Sequence, residues 1–348
     1  MNPKYSVVIP VYNRPDEVDE LLQSLCGQTY QNFEVVVVED GSAIPCKQVV
    51  KKYTEMLDVH YFEKPNSGPG QTRNYAAERS RGEYLLILDS DCILPETYLA
   101  AVEAELQREP ADAFGGPDRA HDSFSDVQKA INYAMTSFFT TGGIRGGKKK
   151  MDKFYPRSFN MGVRAEVYKA LGGFSAMRFG EDIDFSIRIF KGGYRCRLFP
   201  EAWVWHKRRT DLKKFFKQVH NSGIARIDLY KKYPESLKLV HLLPAVFTVG
   251  VVMVLLVAFI CPWSLLLLAL FAVVIFIELL FAIKSIKNWC TICHCCVYTI
   301  DGLRFRAFCG RGGNVVYVAE SPSRLSKKHS INKTLSPIKC SVARRCFY

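Results

Sequence analysis

Residues 84–98 read YLLILDSDCILPETY, a continuous apolar block that ends in Asp89 and Asp91 and then reaches a proline. Such a block, bounded by polar residues, predicts a strand that is buried on both faces. If the strand geometry continues to its end, Asp89 and Asp91 face the same way, about 6.6 Å apart, while Ser90 points elsewhere. Carboxylate oxygens suit Mg²⁺ or Mn²⁺. The stretch therefore predicts a divalent-metal site, and the alternative is a strand that surfaces into a solvated polar turn.

The sequence before this stretch repeats an alternation of apolar runs and helical patterns. YSVVIPVY is followed by DEVDELLQSLC, FEVVVVED by CKQVVKKYTEM, and VHYFEK by GQTRNYAAERS. This spacing predicts βαβ units and a mostly parallel α/β sheet, in which ligands bind at the carboxyl ends of the strands. Two of those ends carry residues that suggest a binding site: Pro10, Tyr12, Asn13 and Arg14 at the end of the first run, and residues 39–42 at the end of the second.

Residues 239–283 form an almost unbroken apolar stretch that is interrupted by Cys261-Pro262. Each half has about 20 residues with its lead-in, which is enough for a helix to cross a hydrocarbon layer of ~30 Å. Because Lys and Arg predominate on both outer flanks, the stretch predicts a transmembrane helical hairpin with both ends in the cytoplasm. A buried two-helix core and a re-entrant or interfacial hairpin are the alternatives.

Composition therefore divides the chain into an α/β domain in residues 1–235, the hairpin in residues 239–283 and an atypical basic tail in residues 289–348. The tail holds ten Lys and Arg against two acidic residues, a large share of the formal net charge of +13. The remaining excess of positive charge lies largely beside the hairpin, so we expect membrane lipids and no nucleic acid as partners. A strand begins within five residues of Met1, and we therefore expect no signal peptide and a catalytic domain at the cytoplasmic face of the membrane.

Cysteines are concentrated in the tail, where CTICHCC begins at residue 290. A metal site is one interpretation, but no second pair follows at zinc-finger spacing. A permitted choice of codons after residue 287, moved by one base, reads as an apolar segment. The alternative hypothesis is therefore a shifted reading frame, with a disordered tail.

Four blocks of the sequence resemble, in order, the motif blocks of the family 2 glycosyltransferases, which have a GT-A fold. They begin YSVVIPVYNR, GPGQTRNYAA, SFNMGVRAEV and GEDIDFSIRI, and they lie within residues 4–225. The resemblance implies a Rossmann-like, mostly parallel sheet with flanking helices, in a membrane-associated enzyme of the bacterial surface-glycan type. It also implies a nucleotide-sugar donor, with a UDP-sugar expected, a glycan or lipid-linked acceptor, and Mn²⁺ or Mg²⁺ as cofactor.

Roles for individual residues follow from the same resemblance. One group would bind the nucleotide-sugar: Pro10, Tyr12, Asn13, Asp40, Arg73, Asp89 and Ser90. The base pocket would be lined by Pro10, Tyr12 and Asn13. Asp40 would accept a hydrogen bond from the base, and Arg73 would lie near the nucleotide.

Metal binding and proton transfer fall on a second group of residues. The resemblance makes Asp91 the principal metal ligand, with Asp89 beside it and His206 as a weaker candidate. It makes Asp182 the general base, which takes the proton of an acceptor hydroxyl so that a single displacement inverts the anomeric centre. The alternatives are that Asp182 only stabilises a helix N-terminus and that His206 is a packing histidine.

Other functions stay open at this point. A processive polysaccharide synthase would carry a Gln-x-x-Arg-Trp motif, whereas the sequence has Gln218 without the Arg-Trp. A polyprenyl-phosphate glycosyltransferase uses the same fold beside membrane helices. Outside the enzymes, the chain could be an inactive, membrane-tethered nucleotide-binding partner. In residues 140–162, four glycines between positions 142 and 147 precede a basic run, and the segment predicts a mobile loop over donor or acceptor, or else a solvated linker.

Overall fold

A computed structural model gives the structure of the protein, and it describes residues 2–121, 123–136, 154–237 and 241–286. All of them belong to the compact unit formed by residues 1–311. The predicted tail in residues 289–348, and the part of the predicted mobile loop that spans residues 140–153, lie outside the described residues.

The predicted α/β architecture is confirmed by a seven-stranded sheet. Its strands are β1 (Tyr5–Val11), β2 (Phe33–Asp40), β3 (Val59–Lys64), β4 (Tyr84–Leu88), β6 (Ala113–Gly115), β8 (Asn160–Arg164) and β9 (Cys196–Leu198). They lie in the order β3-β2-β1-β4-β8-β6-β9. Strands β1 to β4 pair in parallel, whereas β8 runs antiparallel to both β4 and β6.

Helices cover both faces of this sheet, which explains the unbroken apolar runs of its central strands. In β2, Val35 and Val37 pack into one buried cluster, while Val36 and Val38 pack into the cluster on the opposite face. The helices of the domain are α1 (Pro15–Cys26), α2 (Lys47–Lys51), α3 (Pro69–Ala77), α4 (Tyr98–Arg108), α5 (Asp126–Thr136), α6 (Ala165–Ala170), α7 (Glu181–Lys191) and α8 (Leu212–Lys232).

A second, three-stranded sheet determines where the C-terminal part of the domain meets the end of β4. It consists of β5 (Cys92–Ile93), β7 (Asp118–Arg119) and β10 (Val204–His206), with β10 in the middle. The antiparallel register of β10 and β5 places His206 opposite Cys92. Residues far apart in the chain are thereby brought beside the acidic turn that follows β4.

The predicted apolar hairpin forms two helices, α9 (Leu243–Ala258) and α10 (Leu265–Ile286), with a 3₁₀ turn at Pro262–Ser264 between them. Helix α9 has 16 residues, fewer than the ~20 that a full span needs. Among the described residues, we find no helix whose length and apolar character suffice to cross a membrane. Apolar side chains at the hairpin tip are nevertheless open to solvent, and Phe259, Ile260 and Trp263 are 76% to 89% exposed.

Candidate active site

The acidic motif after β4 lies in a turn and not on the strand. Strand β4 ends at Leu88, and the Cys92 amide donates to the Asp89 carbonyl at 3.1 Å, which closes the turn. The expectation that Asp89 and Asp91 share one face of a strand is therefore wrong. Because the chain turns between them, the two carboxylates pair with different partners, and Ser90 is buried at 5% exposure.

Asp91 is buried between two basic side chains. One of its carboxylate oxygens, Oδ2, accepts a hydrogen bond from Arg14, and the other, Oδ1, lies 3.2 Å from Nε2 of His206. Burial opposes ionisation, but the positive charges of His206 and Arg14 outweigh it and hold the pKa of Asp91 well below its usual range. Asp91 is therefore a carboxylate at all physiological pH values.

His206 lies at the end of β10, between Asp91 and Asp118. Its Nδ1 is 3.8 Å from Oδ2 of Asp118, which is too long for a hydrogen bond, and its ring stacks on Phe159 with centroids 4.8 Å apart. Burial lowers the pKa of His206, but the Asp91 carboxylate more than compensates and raises that pKa to about 9. The imidazole is therefore protonated at neutral pH in this arrangement.

The donor atoms around Asp91 fit a divalent cation. Asp91, Cys92 and His206 each offer a ligand atom within 4.8 Å of the others. Cys92 donates to the Phe159 carbonyl at 3.4 Å, and burial raises its pKa far above the usual value, so it stays a thiol. Within the described part of the chain, Asp91 Oδ1 and His206 Nδ1 are buried atoms that lack a hydrogen-bond partner. Asp91 offers a carboxylate oxygen, and His206 would offer an imidazole nitrogen once it has lost a proton, while metal binding by these residues stays a prediction.

Asp89 belongs to a different contact network. Arg73 is 3% exposed and bridges two carboxylates, because it donates to Oδ1 of Asp89 at 2.8 Å and to Oε1 of Glu181 at 3.0 Å. Its guanidinium also packs 5.2 Å from the ring centre of Phe174. Arg73 therefore fixes the positions of Asp89 and Glu181 relative to each other, and a direct contact of Arg73 with the nucleotide stays a prediction. Metal binding by Asp89 stays a prediction too.

Asp182 lies in the first turn of α7, directly after Glu181. Gly180 precedes the helix with φ of +80°, and a Cβ atom there would come within 3.0 Å of Ala225. Asp182 is partly exposed, and its Oδ2 accepts from Arg157 at 3.3 Å. Burial raises the pKa of the neighbouring Glu181. The predicted base is thus held at a helix N-terminus that Arg73 ties to the acidic turn.

Asp184, the third acidic residue of this segment, has a structural role. It is fully buried and accepts hydrogen bonds from Lys232 at 2.5 Å, from the Tyr233 hydroxyl at 3.0 Å and from Arg188 at 3.0 Å. These contacts fasten α7 to the C-terminal end of α8. Burial disfavours the charged form, but these partners reverse that effect and lower the pKa of Asp184.

The loops after β1 and β2 are held together by Asn13. This residue adopts the left-handed region with φ of 55°, which asparagine tolerates better than most residues. Its side-chain oxygen accepts from the amides of Ala43 and Ile44 at 2.7 and 3.0 Å, and its own amide donates to Ser42 at 2.7 Å. Asn13 thus shapes the predicted base pocket, and a contact with the base itself stays a prediction.

Asp40, at the end of β2, likewise fixes the loop that precedes α3. Its Oδ1 accepts from Lys64 and from the Ser67 amide, and its Oδ2 accepts from the Gly68 amide at 2.9 Å. Pro10 is half-buried in β1 and Tyr12 is 54% exposed beside these loops. The structure therefore brings the predicted nucleotide-binding residues to one sheet edge, while their contacts with a donor stay predictions.

Three residues of the site were not assigned a role from the sequence. Arg14 was recognised only as part of the polar end of β1, and Glu181 only as one of three acids at a helix start. Asp118 carried no signal, because its pairing with Arg208 and its approach to His206 depend on β7 joining β10. Each is defined by partners that are distant in sequence, and the spacing of residues cannot reveal them.

Comparison with known proteins shows which families and folds the chain resembles. Residues 6–172 match the model of the family described as Glycosyl transferase family 2. The match supports the predicted enzyme class, a glycosyltransferase, and agrees with the resemblance found in the sequence.

Individual relatives cover only parts of the chain. An uncharacterized glycosyltransferase of Rickettsia bellii is 41% identical over 88 residues, which is 25% of this chain and 13% of that protein. The poly(ribitol-phosphate) beta-N-acetylglucosaminyltransferase TarS of Staphylococcus aureus strain Mu50 is 37% identical over 113 residues, which is 31% of this chain and 20% of TarS. The chain thus matches less than a quarter of the length of either curated relative.

One solved structure extends the likeness over most of the chain. The mannosyltransferase PcManGT from Pyrobaculum calidifontis, in complex with GDP-Man and Mn²⁺, superposes with a TM-score of 0.62 at 19% identity. The match covers 90% of this chain and 89% of that one. It confirms the predicted GT-A-like fold.

Proposed function

We propose that this protein is an inverting glycosyltransferase that moves a sugar from a nucleotide-sugar to a hydroxyl acceptor with the help of Mn²⁺ or Mg²⁺. The observation that carries this proposal is the convergence of Asp91 and His206 at the carboxyl end of β4, with the buried Asp89–Arg73–Glu181 bridge connecting that turn to Asp182. A metal-ligand pair and a separately held carboxylate are the two groups that this reaction needs.

Each group has a distinct task in the proposed reaction. Asp91 and His206 would hold the cation, which would neutralise the charge that develops on the departing diphosphate. For this, His206 must first lose a proton, because only a neutral imidazole binds a metal ion. Asp182, which is partly exposed at the start of α7, would accept the proton of the attacking hydroxyl. Arg157 would orient that carboxylate through its contact at 3.3 Å.

A UDP-sugar is the donor that we propose. The similarity to TarS, whose name describes a transferase of N-acetylglucosamine, favours UDP-GlcNAc as the first donor to test. GDP-mannose is the second, because PcManGT binds GDP-Man together with Mn²⁺ and has a similar fold.

We further propose that the acceptor is a lipid-linked or surface glycan and that the enzyme works at the cytoplasmic face of a membrane. The exposed apolar tip of the hairpin, formed by Phe259, Ile260 and Trp263, supports this proposal, because such a patch is costly to leave in water. A hairpin that lies in the interface would keep the active site close to a lipid-linked acceptor.

The decisive experiment measures nucleotide release from a panel of nucleotide-sugars, with and without Mn²⁺. Asp91→Ala and Asp182→Asn are expected to lower turnover at least about 100-fold, since each removes a group that acts in the transition state. Asp228→Asn, an exposed aspartate of α8, is the matched control and should leave turnover unchanged. Turnover that is the same in all four proteins would reject the proposed mechanism.

A further inference from the structure

The geometry points to Arg14 as an internal cation that occupies Asp91 and that a metal ion must displace. This inference rests on the proposed function, because it takes Asp91 as a metal ligand. It assigns to Arg14 control over how tightly the site binds its cation.

Asp91 has both carboxylate oxygens next to positive charge. Arg14 donates to Oδ2, and His206 lies 3.2 Å from Oδ1. The amide of Lys207 donates to the Asp91 carbonyl at 3.0 Å, so the backbone of the turn is fixed and only the side chains around the carboxylate can rearrange. A cation that approaches Asp91 therefore meets a charge that is already neutralised.

Of the arginines that pair with the acidic turn, Arg14 is the one able to leave. Arg73 has a side chain that is 4% exposed and that is held by two carboxylates, Asp89 and Glu181. The side chain of Arg14 is 31% exposed and lies in the loop between β1 and α1, where it makes no cap contact with the helix. When Arg14 moves into solvent, Asp91 still has His206 beside it, whereas movement of Arg73 would leave Asp89 and the buried Glu181 without their shared partner.

The consequence for metal binding is a competition. When a site is competent only in the fraction of molecules whose ligand is free, the apparent dissociation constant rises in inverse proportion to that fraction. A charge-assisted hydrogen bond such as Arg14–Asp91 keeps this fraction small. Loss of the guanidinium should therefore tighten metal binding even though it removes a contact of the folded protein.

The test is a titration of the full chain with Mn²⁺ alone, followed by electron paramagnetic resonance of the free ion. No nucleotide-sugar is present, so a failure of the proposed transferase activity does not affect the measurement. Wild type is compared with Arg14→Gln, with Arg14→Lys and with a matched control, Lys207→Gln. Lys207 pairs with Glu20 and lies next to His206, so its loss removes a nearby charge without freeing Asp91.

We expect Arg14→Gln to bind Mn²⁺ about tenfold or more tightly than wild type, the factor that one competing charge-assisted hydrogen bond accounts for. Lys207→Gln should change the dissociation constant by less than about fivefold, as expected for a surface charge. Arg14→Lys keeps the charge but not the planar guanidinium, so its Mn²⁺ dissociation constant should lie between those of wild type and Arg14→Gln.

Two results would overturn the inference. One is an Arg14→Gln protein that unfolds at the wild-type temperature and binds Mn²⁺ no more tightly than Lys207→Gln. The other is a lack of Mn²⁺ binding in all four proteins. If the Arg14→Gln variant does not fold, the Mn²⁺ affinities of wild type and Arg14→Lys are compared instead. Equal affinities of these two proteins would also overturn the inference.

Discussion

Arg73 donates a hydrogen bond of 3.0 Å to Glu181, and this contact joins the middle of α3 to the first turn of α7. Because Arg73 also holds Asp89, one buried guanidinium sets the distance between the metal-binding turn and the helix that carries Asp182. The relative position of the two halves of the proposed site thus depends on a side chain that lies beneath it.

Replacement of Arg73 by Met should therefore destabilise the whole domain. The change leaves Asp89 and Glu181 without their buried counter-ion, and breaking such a pair typically costs about 3–5 kcal/mol of the free energy of unfolding. Urea unfolding followed by circular dichroism measures the loss. Arg195→Met, at an exposed arginine remote from the site, is the control, and an equal effect of both substitutions would contradict the bridging role.

Gly180→Ala should cost about 1–2 kcal/mol from its left-handed backbone, and more from the contact that a Cβ would make with Ala225. Gly172→Ala separates the two effects, because Gly172 has φ of 72° but open space around its Cβ position. Thermal unfolding of both variants should show the larger loss for Gly180→Ala. A reduced turnover is expected only for Gly180→Ala, since only this change displaces Asp182.

Stability should depend on pH through Asp184. Its pKa is lowered in the folded state, so the unfolded state binds protons more readily as the pH falls. The stabilisation is fully present above the unfolded pKa of about 4 and is lost as the pH falls through the lower, folded pKa.

Asp184→Asn should accordingly remove about 1–3 kcal/mol at pH 7, because partners of the buried carboxylate lose their acceptor. The variant should also show a shallower decline of stability between pH 5 and pH 2 than wild type. Urea titrations across this range provide the measurement. Parallel pH profiles of wild type and variant would show that Asp184 does not contribute to acid unfolding.

Membrane association, as proposed above, should depend on the hairpin tip. Ile260→Asp should weaken flotation with anionic lipid vesicles about tenfold or more, since burial of an isoleucine side chain contributes roughly 1.5–3 kcal/mol. Met56→Asp alters another exposed apolar side chain, which is 59% exposed and lies outside the hairpin, and should have no effect. Equal vesicle binding by both variants would reject the hairpin tip as the membrane contact.

The sequence predicted the sheet well, because its evidence is local. In β2 the run from Val35 to Val38 can only suit a strand that is covered on both faces, and the structure buries all four side chains. The convergence of Asp91 and His206 followed from the ordered motif blocks. Neither conclusion required knowledge of side-chain orientation.

The features that the sequence did not predict depend on long-range partners. The sequence around Asp89 suits both a continued strand and a tight turn. The turn forms because β5 pairs with β10, which follows more than a hundred residues later. The burial of Arg73 depends in the same way on Glu181. The helical hairpin was predicted, but the 16-residue length of α9 was not, because an apolar run does not mark where a helix starts.

The side-chain contacts of Asn13 and Asp40 have a kinetic consequence. Their side-chain oxygens accept hydrogen bonds from the amides of Ala43, Ile44 and Gly68, so the protein itself orders the loops around the predicted base pocket. The loops would therefore lose little conformational entropy when a nucleotide binds there. These amides should therefore exchange slowly with deuterated solvent even before any donor is added.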